Sequence, residues 1–391
     1  MLLEGISKQN YQRYNKMIDD YFDRKTQNQI VVFGAGVMGQ QFMSLLYKRG
    51  VNNVVFCDNN EALWNTELMG TMIVSSDYLI NKYTECDVFL AIEKYDVLET
   101  QLIGMGYERD KSYYVLKNIN EDVLVCKFKD IGEPSTLCLA DCTVTTISLE
   151  EEKKQSISEM IEANSEAIVL SLNGLYTRQF FNILSAVLNK SKSIDEVIIL
   201  TGIDIFSNRY NMFPNNQHLA TWERLFDKSD LLAIEPEFLE VIKKREKSIN
   251  FKGVGKKNLN CSLEEKLILA RTQDLQLNYL LPINSENESI LYLKKICDLC
   301  AQKKIHFKYV ILPINYKLAK RLNNNFDELY LHNINIIETI IQQNMGEMCD
   351  LSFLLDEKDF IVKWHINEGI RQEGRSKVYE AIKVKQNGLY N

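Results

Sequence analysis

The sequence predicts an α/β protein of two domains, each a mostly parallel sheet flanked by helices. Three observations carry that reading. The chain has 391 residues, too many for one ordinary domain. Two separate series of short apolar strands alternate with helical segments, as parallel sheets require. Each series opens on an apolar strand that runs into a turn motif. With 46% hydrophobic and 25% charged residues, each half can bury a core of its own.

The first series begins with an amphipathic segment, residues 7–28, with Tyr11, Tyr14, Met17, Ile18, Tyr21 and Phe22 at helical spacing. A buried strand follows, Gln29–Phe33, leading into Gly34-Ala-Gly-Val-Met-Gly39 and a helix over residues 40–49. Further strands are expected at Val54–Cys57, Asp87–Ile92 and Tyr113–Leu116. The seam falls within residues 118–135, which gives domains 1–125 and 126–391.

The second series has strands at Thr136–Ala140, Ala167–Ser171, Glu196–Leu200 and Tyr309–Leu312. Helices are expected over 149–163, 175–190, 287–303 and 368–384, and the more polar stretch 215–285 reads as a helical insertion.

Charge and leader signals narrow the function classes. The formal charge of -7 argues against a nucleic-acid partner, since it offers no strong basic field. Charges and amides stand near the N-terminus where a signal peptide would have its apolar run, and no run of about 18 apolar residues occurs. The expectation is a cytoplasmic protein without stable membrane insertion. Nine cysteines, scattered mostly singly through hydrophobic segments, then read as small buried hydrophobes.

Gly34, Gly36 and Gly39 form a G-x-G-x-x-G loop with a strand before it and a helix after it. The first glycine permits the tight turn, the second lets backbone approach a phosphate, and the third lets the helix pack on the strand. The helix N-terminus offers free N–H groups to an anion. Asp58 ends the next strand, where an acidic side chain can bond ribose hydroxyls. This predicts a Rossmann-like domain that takes a nucleotide or nucleotide-linked sugar. The alternative is a unit that keeps the turn and has lost the ligand. A dehydrogenase or epimerase is the rival activity, disfavoured because no Tyr-x-x-x-Lys pair follows in the right context.

Residues 29–92 resemble the N-terminal domain of bacterial sugar O-acyltransferases and related nucleotide-sugar-modifying proteins. The shared pattern is the F-G-A-G-x-x-G loop, the strand ending in Asp58-Asn-Asn60, the segment Gly70–Leu79, and Asp87–Ile92. The resemblance implies a nucleotide-sugar ligand and a role in surface-glycan biosynthesis.

The C-terminal half resembles an SGNH (GDSL-type) esterase or acyltransferase domain. The family's nucleophile turn corresponds to Asp141-Cys142-Thr143, its second block to Asn173-Gly174, and its third to Gly202-Ile-Asp204. The family's final His corresponds to His365, in His365-Ile-Asn-Glu-Gly369. By this resemblance Cys142 is the nucleophile and His365 the proton shuttle. Backbone N–H groups near Cys142 and Gly174, with the Asn173 side chain, hold the oxyanion, and Asp204 lies in the same cleft. The departures are Cys for Ser at 142, Val362 where the family has Asp, and no third-block Asn. A thiol is a sound nucleophile when a His lowers its pKa. Asp359 reaches the imidazole only if the loop bulges. The alternative is an inactive domain kept for glycan binding or assembly. The expected partner is a small molecule or glycan precursor, and self-association is left open.

Other constellations read as structure. Cys297 and Cys300, near His306, lie in an amphipathic helix with Ile290, Leu293 and Ile296, and no second pair completes a zinc site. Lys243–Lys247 and Lys252–Lys257 read as solvated charge. Trp222 either lines a cleft or anchors the insertion.

Overall fold

The computed structural model describes residues 8–24, 28–82, 85–92, 95–116, 119–147, 155–172, 174–207, 218–227, 229–244, 272–273, 275–284, 286–360, 366 and 369–382. The chain divides between Glu121 and Asp122 into two compact units. Each is a mostly parallel sheet flanked by helices.

In the first unit, β1 (Gln29–Phe33), β2 (Val54–Cys57), β3 (Glu67–Leu68), β4 (Thr71–Val74), β5 (Cys86–Leu90) and β6 (Tyr113–Val115) form one sheet in the order β3-β4-β2-β1-β5-β6. Only β3 and β4 pair antiparallel, across a two-residue turn in which Met69 and Gly70 both have positive φ. Such turns match the twist of a hairpin. The central strands are buried on both faces, hence their continuous apolar runs. Helices α1 (Lys8–Phe22) and α2 (Val37–Lys48) meet where Tyr14 packs edge-on against Phe42 at 5.9 Å. Phe42 in turn lies 4.9 Å from Phe89 of β5. Tyr21 donates to the buried Asp87 carboxylate at 2.9 Å, and burial with that neighbouring charge drives its phenol pKa far up. The helix expected over 7–28 ends at Phe22.

In the second unit, β7 (Thr136–Ala140), β8 (Ala167–Ser171), β9 (Glu196–Thr201), β10 (His306–Ile311) and β11 (Glu347–Asp350) form an all-parallel sheet in the order β11-β10-β9-β7-β8. Counted along the chain this is 2-1-3-4-5, the order of flavodoxin-type doubly wound sheets. Alternate residues feed opposite cores. Leu137, Leu139, Val197 and Ile199 face one, with helices Thr177–Lys190, Glu288–Lys303 and Phe326–Gln343. Cys138, Ala140, Ile198 and Leu200 face the other, with helices Ile157–Asn164 and Gln372–Ile382.

Several boundaries differ from the sequence expectation for local reasons. The helix expected over 149–163 begins at Ile157, because Ser156 and Glu159 form a reciprocal capping box there. Residues 149–154 of that expectation lie outside the described residues. The last helix begins at Gln372 and not 368, since Ile370 is engaged in a bridge to Phe360. The described parts of the 215–285 insertion include helices Leu219–Leu225 and Pro236–Lys244. Residues 208–217 and 245–271, with most of the two lysine runs, lie outside the described residues. Among the described residues no helix is long and apolar enough to cross a membrane.

Candidate functional site

The glycine loop follows β1, the strand from which the first sheet runs outward in both directions. Gly34 has φ +111, and a Cβ there would stand 2.8 Å from the Ala91 carbonyl oxygen at the end of β5. A Cβ on Gly39 would stand 1.9 Å from the Gly34 carbonyl oxygen. These two glycines are therefore required by the protein's own packing. Gly36 differs: it is exposed, and an added Cβ would meet nothing within 4 Å. Its freedom is not consumed internally, so its surface is open to a ligand at the N-terminus of α2.

Asp58 is brought onto this loop. One carboxylate oxygen accepts the Ala35 N–H at 2.9 Å and the other accepts the Asn60 N–H at 2.8 Å. An ionised carboxylate has about four acceptor sites, so capacity for a ribose hydroxyl is left. Gln40 closes the far side of the loop by donating to the Ala35 carbonyl at 3.0 Å.

In the second unit the candidate residues gather at the carboxyl ends of the strands. A 2-1-3-4-5 sheet opens its crevice between its first and third strands, here β7 and β9. Asp141 and Cys142 follow β7, and Gly202 and Asp204 follow β9. The two strand ends are tied together. Thr201 donates its hydroxyl to the Asp141 carboxylate at 3.0 Å, and Asp141 also accepts the Thr143 N–H at 2.7 Å. The second bond caps the short 3-10 turn Cys142–Val144. Cys142 is thereby the first residue of a capped turn at the switch point, and it is half-buried. Its carbonyl accepts from the backbone and hydroxyls of both Thr145 and Thr146, which tightens the turn further.

Burial pushes the Asp141 carboxyl up from its usual range, against the opposing pull of the Thr143 and Gly202 N–H groups and the Thr201 hydroxyl. Asp204 lies half-buried in the 3-10 turn Ile203–Phe206. Beneath them is Tyr309 of β10, whose phenol pKa is driven far up, first by burial and then by Asp204 and Asp141. Gly174 follows β8 with φ +69. Asn173 and His365 lie outside the described residues.

The remaining cysteines separate by environment. Cys57, Cys86, Cys138, Cys297 and Cys300 are buried, and burial raises each thiol pKa, to about 12 for Cys297 and Cys300. Such thiols are poor nucleophiles. Asp359 is committed elsewhere: its carboxylate binds the Lys377 ammonium at 2.8 and 3.0 Å and accepts the Asp356 N–H at 3.0 Å. Burial raises its pKa, but Lys377 and that N–H outweigh burial and hold it below the usual range. Trp222 is 1% exposed, stacked on Phe226 and set edge-on against Phe238, so it anchors the insertion.

Two residues not singled out from the sequence belong to this region: Thr201 and Tyr309. Thr201 is a polar residue that ends an otherwise apolar strand, and that is the signal the sequence offers for it. No protein-family model matches the chain, and no curated protein matches it.

Proposed function

We propose that the second unit is a thiol-dependent acyltransferase or esterase with Cys142 as nucleophile and His365 as its base. The observation that carries this reading is the Asp141 clamp, which bonds Thr201 and the Thr143 N–H and so presents Cys142 at the switch-point crevice. The Cys142 sulfur attacks an acyl carbonyl as His365 takes the thiol proton. Carbon–sulfur bond formation moves the carbonyl π pair onto oxygen. Collapse then expels the alcohol, to which His365 returns the proton. Backbone N–H groups near Cys142 and Gly174, with the Asn173 side chain, are assigned to the oxyanion.

The test is thiol labelling of the full chain with iodoacetamide, read by peptide mass spectrometry. Cys142 should alkylate faster than the five buried cysteines, and His365→Ala should slow it. Absence of both effects would favour the second reading, an inactive binding or assembly module. One observation favours that module: the Asp359 carboxylate is held by the Lys377 ammonium.

For the first unit we propose a nucleotide or nucleotide-linked sugar at Gly34, Gly36 and Gly39, with Asp58 toward the ribose. The open space over Gly36 supports it. The two resemblances support a place in cytoplasmic steps of surface-glycan biosynthesis, with a glycan precursor as acyl acceptor or donor. Unchanged surface polysaccharide after deletion of the gene would count against that assignment.

A further inference from the structure

We propose that the indole of Trp64 is the platform on which the base of a nucleotide bound at the glycine loop stacks. The inference rests on the nucleotide reading of that loop and adds the residue that holds the far end of the ligand. Trp64 follows the short 3-10 turn Glu61–Leu63, which leads away from β2. Its ring N–H donates to the Asp58 carbonyl at 2.6 Å. The carboxylate of the same Asp58 accepts the Ala35 N–H of the glycine loop at 2.9 Å. One residue therefore joins the indole to the loop.

Backbone hydrogen bonds set the order across the sheet. Gly34, after β1, donates to the Cys57 carbonyl at 2.8 Å, so that carbonyl faces the loop. Asp58 donates to the Val74 carbonyl at 3.2 Å, so its main chain faces the other way, toward β4. Asn65, the residue after Trp64, donates to the Ile73 carbonyl of β4 at 2.9 Å. Glycine loop, Asp58 and Trp64 thus succeed one another over β1, β2 and β4. That is the order phosphate, ribose and base. Neighbouring strands lie about 4.8 Å apart, so loop and indole stand roughly 10 Å apart, a span that a nucleotide bridges.

The indole is not used up by the protein's own packing. Its neighbours Leu63 and Leu68 pack against the hydrophobic core of the first unit, and Trp64 does not. It is half-buried, and among the described residues no aromatic ring pairs with it. A large ring held by its polar edge, with apolar surface left over, suits a flat aromatic ligand. The bond to Asp58 restrains the ring before any ligand arrives, so less freedom is lost on binding. Stacking of this kind tolerates any base, because every base has a π-face.

The experiment titrates the full chain with ADP, GDP, CDP and UDP, reading heat and indole fluorescence together. For whichever binds, the parent's fluorescence should be quenched as the base stacks. Trp64→Phe keeps a stacking ring and should bind within about threefold of the parent, with that quenching gone. Trp64→Ala should weaken binding by about 5- to 150-fold. Gly36→Val separates the two readings. If it weakens binding while Trp64→Ala leaves affinity unchanged, the Trp64 assignment is overturned and the loop reading stands. Quenching that survives in Trp64→Phe would also overturn it. So would equal weakening in the Phe and Ala variants, since the indole would then act only through its bond to Asp58. A parent that binds none of the four would overturn both.

Discussion

Thr201, at the end of β9, donates its hydroxyl to the Asp141 carboxylate beyond β7 at 3.0 Å, and both side chains are buried. Burial raises the folded-state pKa of Asp141. The folded protein therefore keeps this proton where the unfolded chain has lost it. Stability from this group is whole below the unfolded value of about 3.9 and is lost as pH rises through the folded value. Asp141→Asn removes that titration, so its melting temperature should fall less than the parent's as pH rises from 4 upward. Parallel profiles would contradict the assignment. Thr201→Val should cost about 1–3 kcal/mol in urea unfolding, because the carboxylate loses a buried donor.

Gly36 and Gly39 should separate cleanly. Gly39→Ala drives a Cβ toward the Gly34 carbonyl oxygen and should destabilise the first unit by about 1–3 kcal/mol or more. Gly36→Ala meets no atom and should stay within about 0.5 kcal/mol of the parent. Gly36→Val should nevertheless lower affinity for whichever of NAD, nucleotide-sugars or coenzyme A binds in calorimetric titration. Binding unaffected by Gly36→Val would remove the ligand from this loop.

Glu235 joins the insertion to the helices beneath it. Its carboxylate accepts from Tyr292 at 2.7 Å and Lys295 at 2.5 Å and stands 3.5 Å from Arg178, which lies 5.4 Å from the Tyr292 ring. Burial raises its pKa, but Lys295, Tyr292 and Arg178 outweigh burial and hold it below the usual range. The stabilisation is present above the unfolded value of about 4.3 and is lost as pH falls through the lowered folded value. Glu235→Gln should cost about 1–3 kcal/mol at pH 7, and the gap to the parent should narrow in acid. A gap that is constant with pH would refute the ionic account.

Trp222 fills the core between the insertion and the sheet at 1% exposure. Trp222→Ala should cost about 3–5 kcal/mol in denaturant unfolding. A cost below about 1 kcal/mol would mean that the indole is not an anchor, since surface substitutions stay in that range.

The fold class was legible because parallel strands buried on both faces must be continuously apolar. Val31, Val32, Leu139 and Ile199 mark their strands without any partner being known. β11 was not legible: its residues Glu347–Asp350 are partly exposed at the sheet edge and carry no apolar run. The β3–β4 hairpin was missed because Thr71–Val74 alternates buried and half-open positions over only four residues. The long helix Phe326–Gln343 was passed over although Tyr330, Ile334, Ile337 and Ile341 form its buried stripe.

By itself the sequence determined the two strand–helix series, the glycine loop between β1 and α2, and which cysteines stand in apolar segments. These depend on local period and local turn chemistry, both written in neighbouring residues. Only the tertiary structure decided that Thr201 holds Asp141, that Lys377 takes Asp359, and that Asp58 closes on Ala35. Each of those joins side chains from different strands or helices. Which polar group satisfies which is decided by strand order and burial, and neither is contained in any local window of the chain.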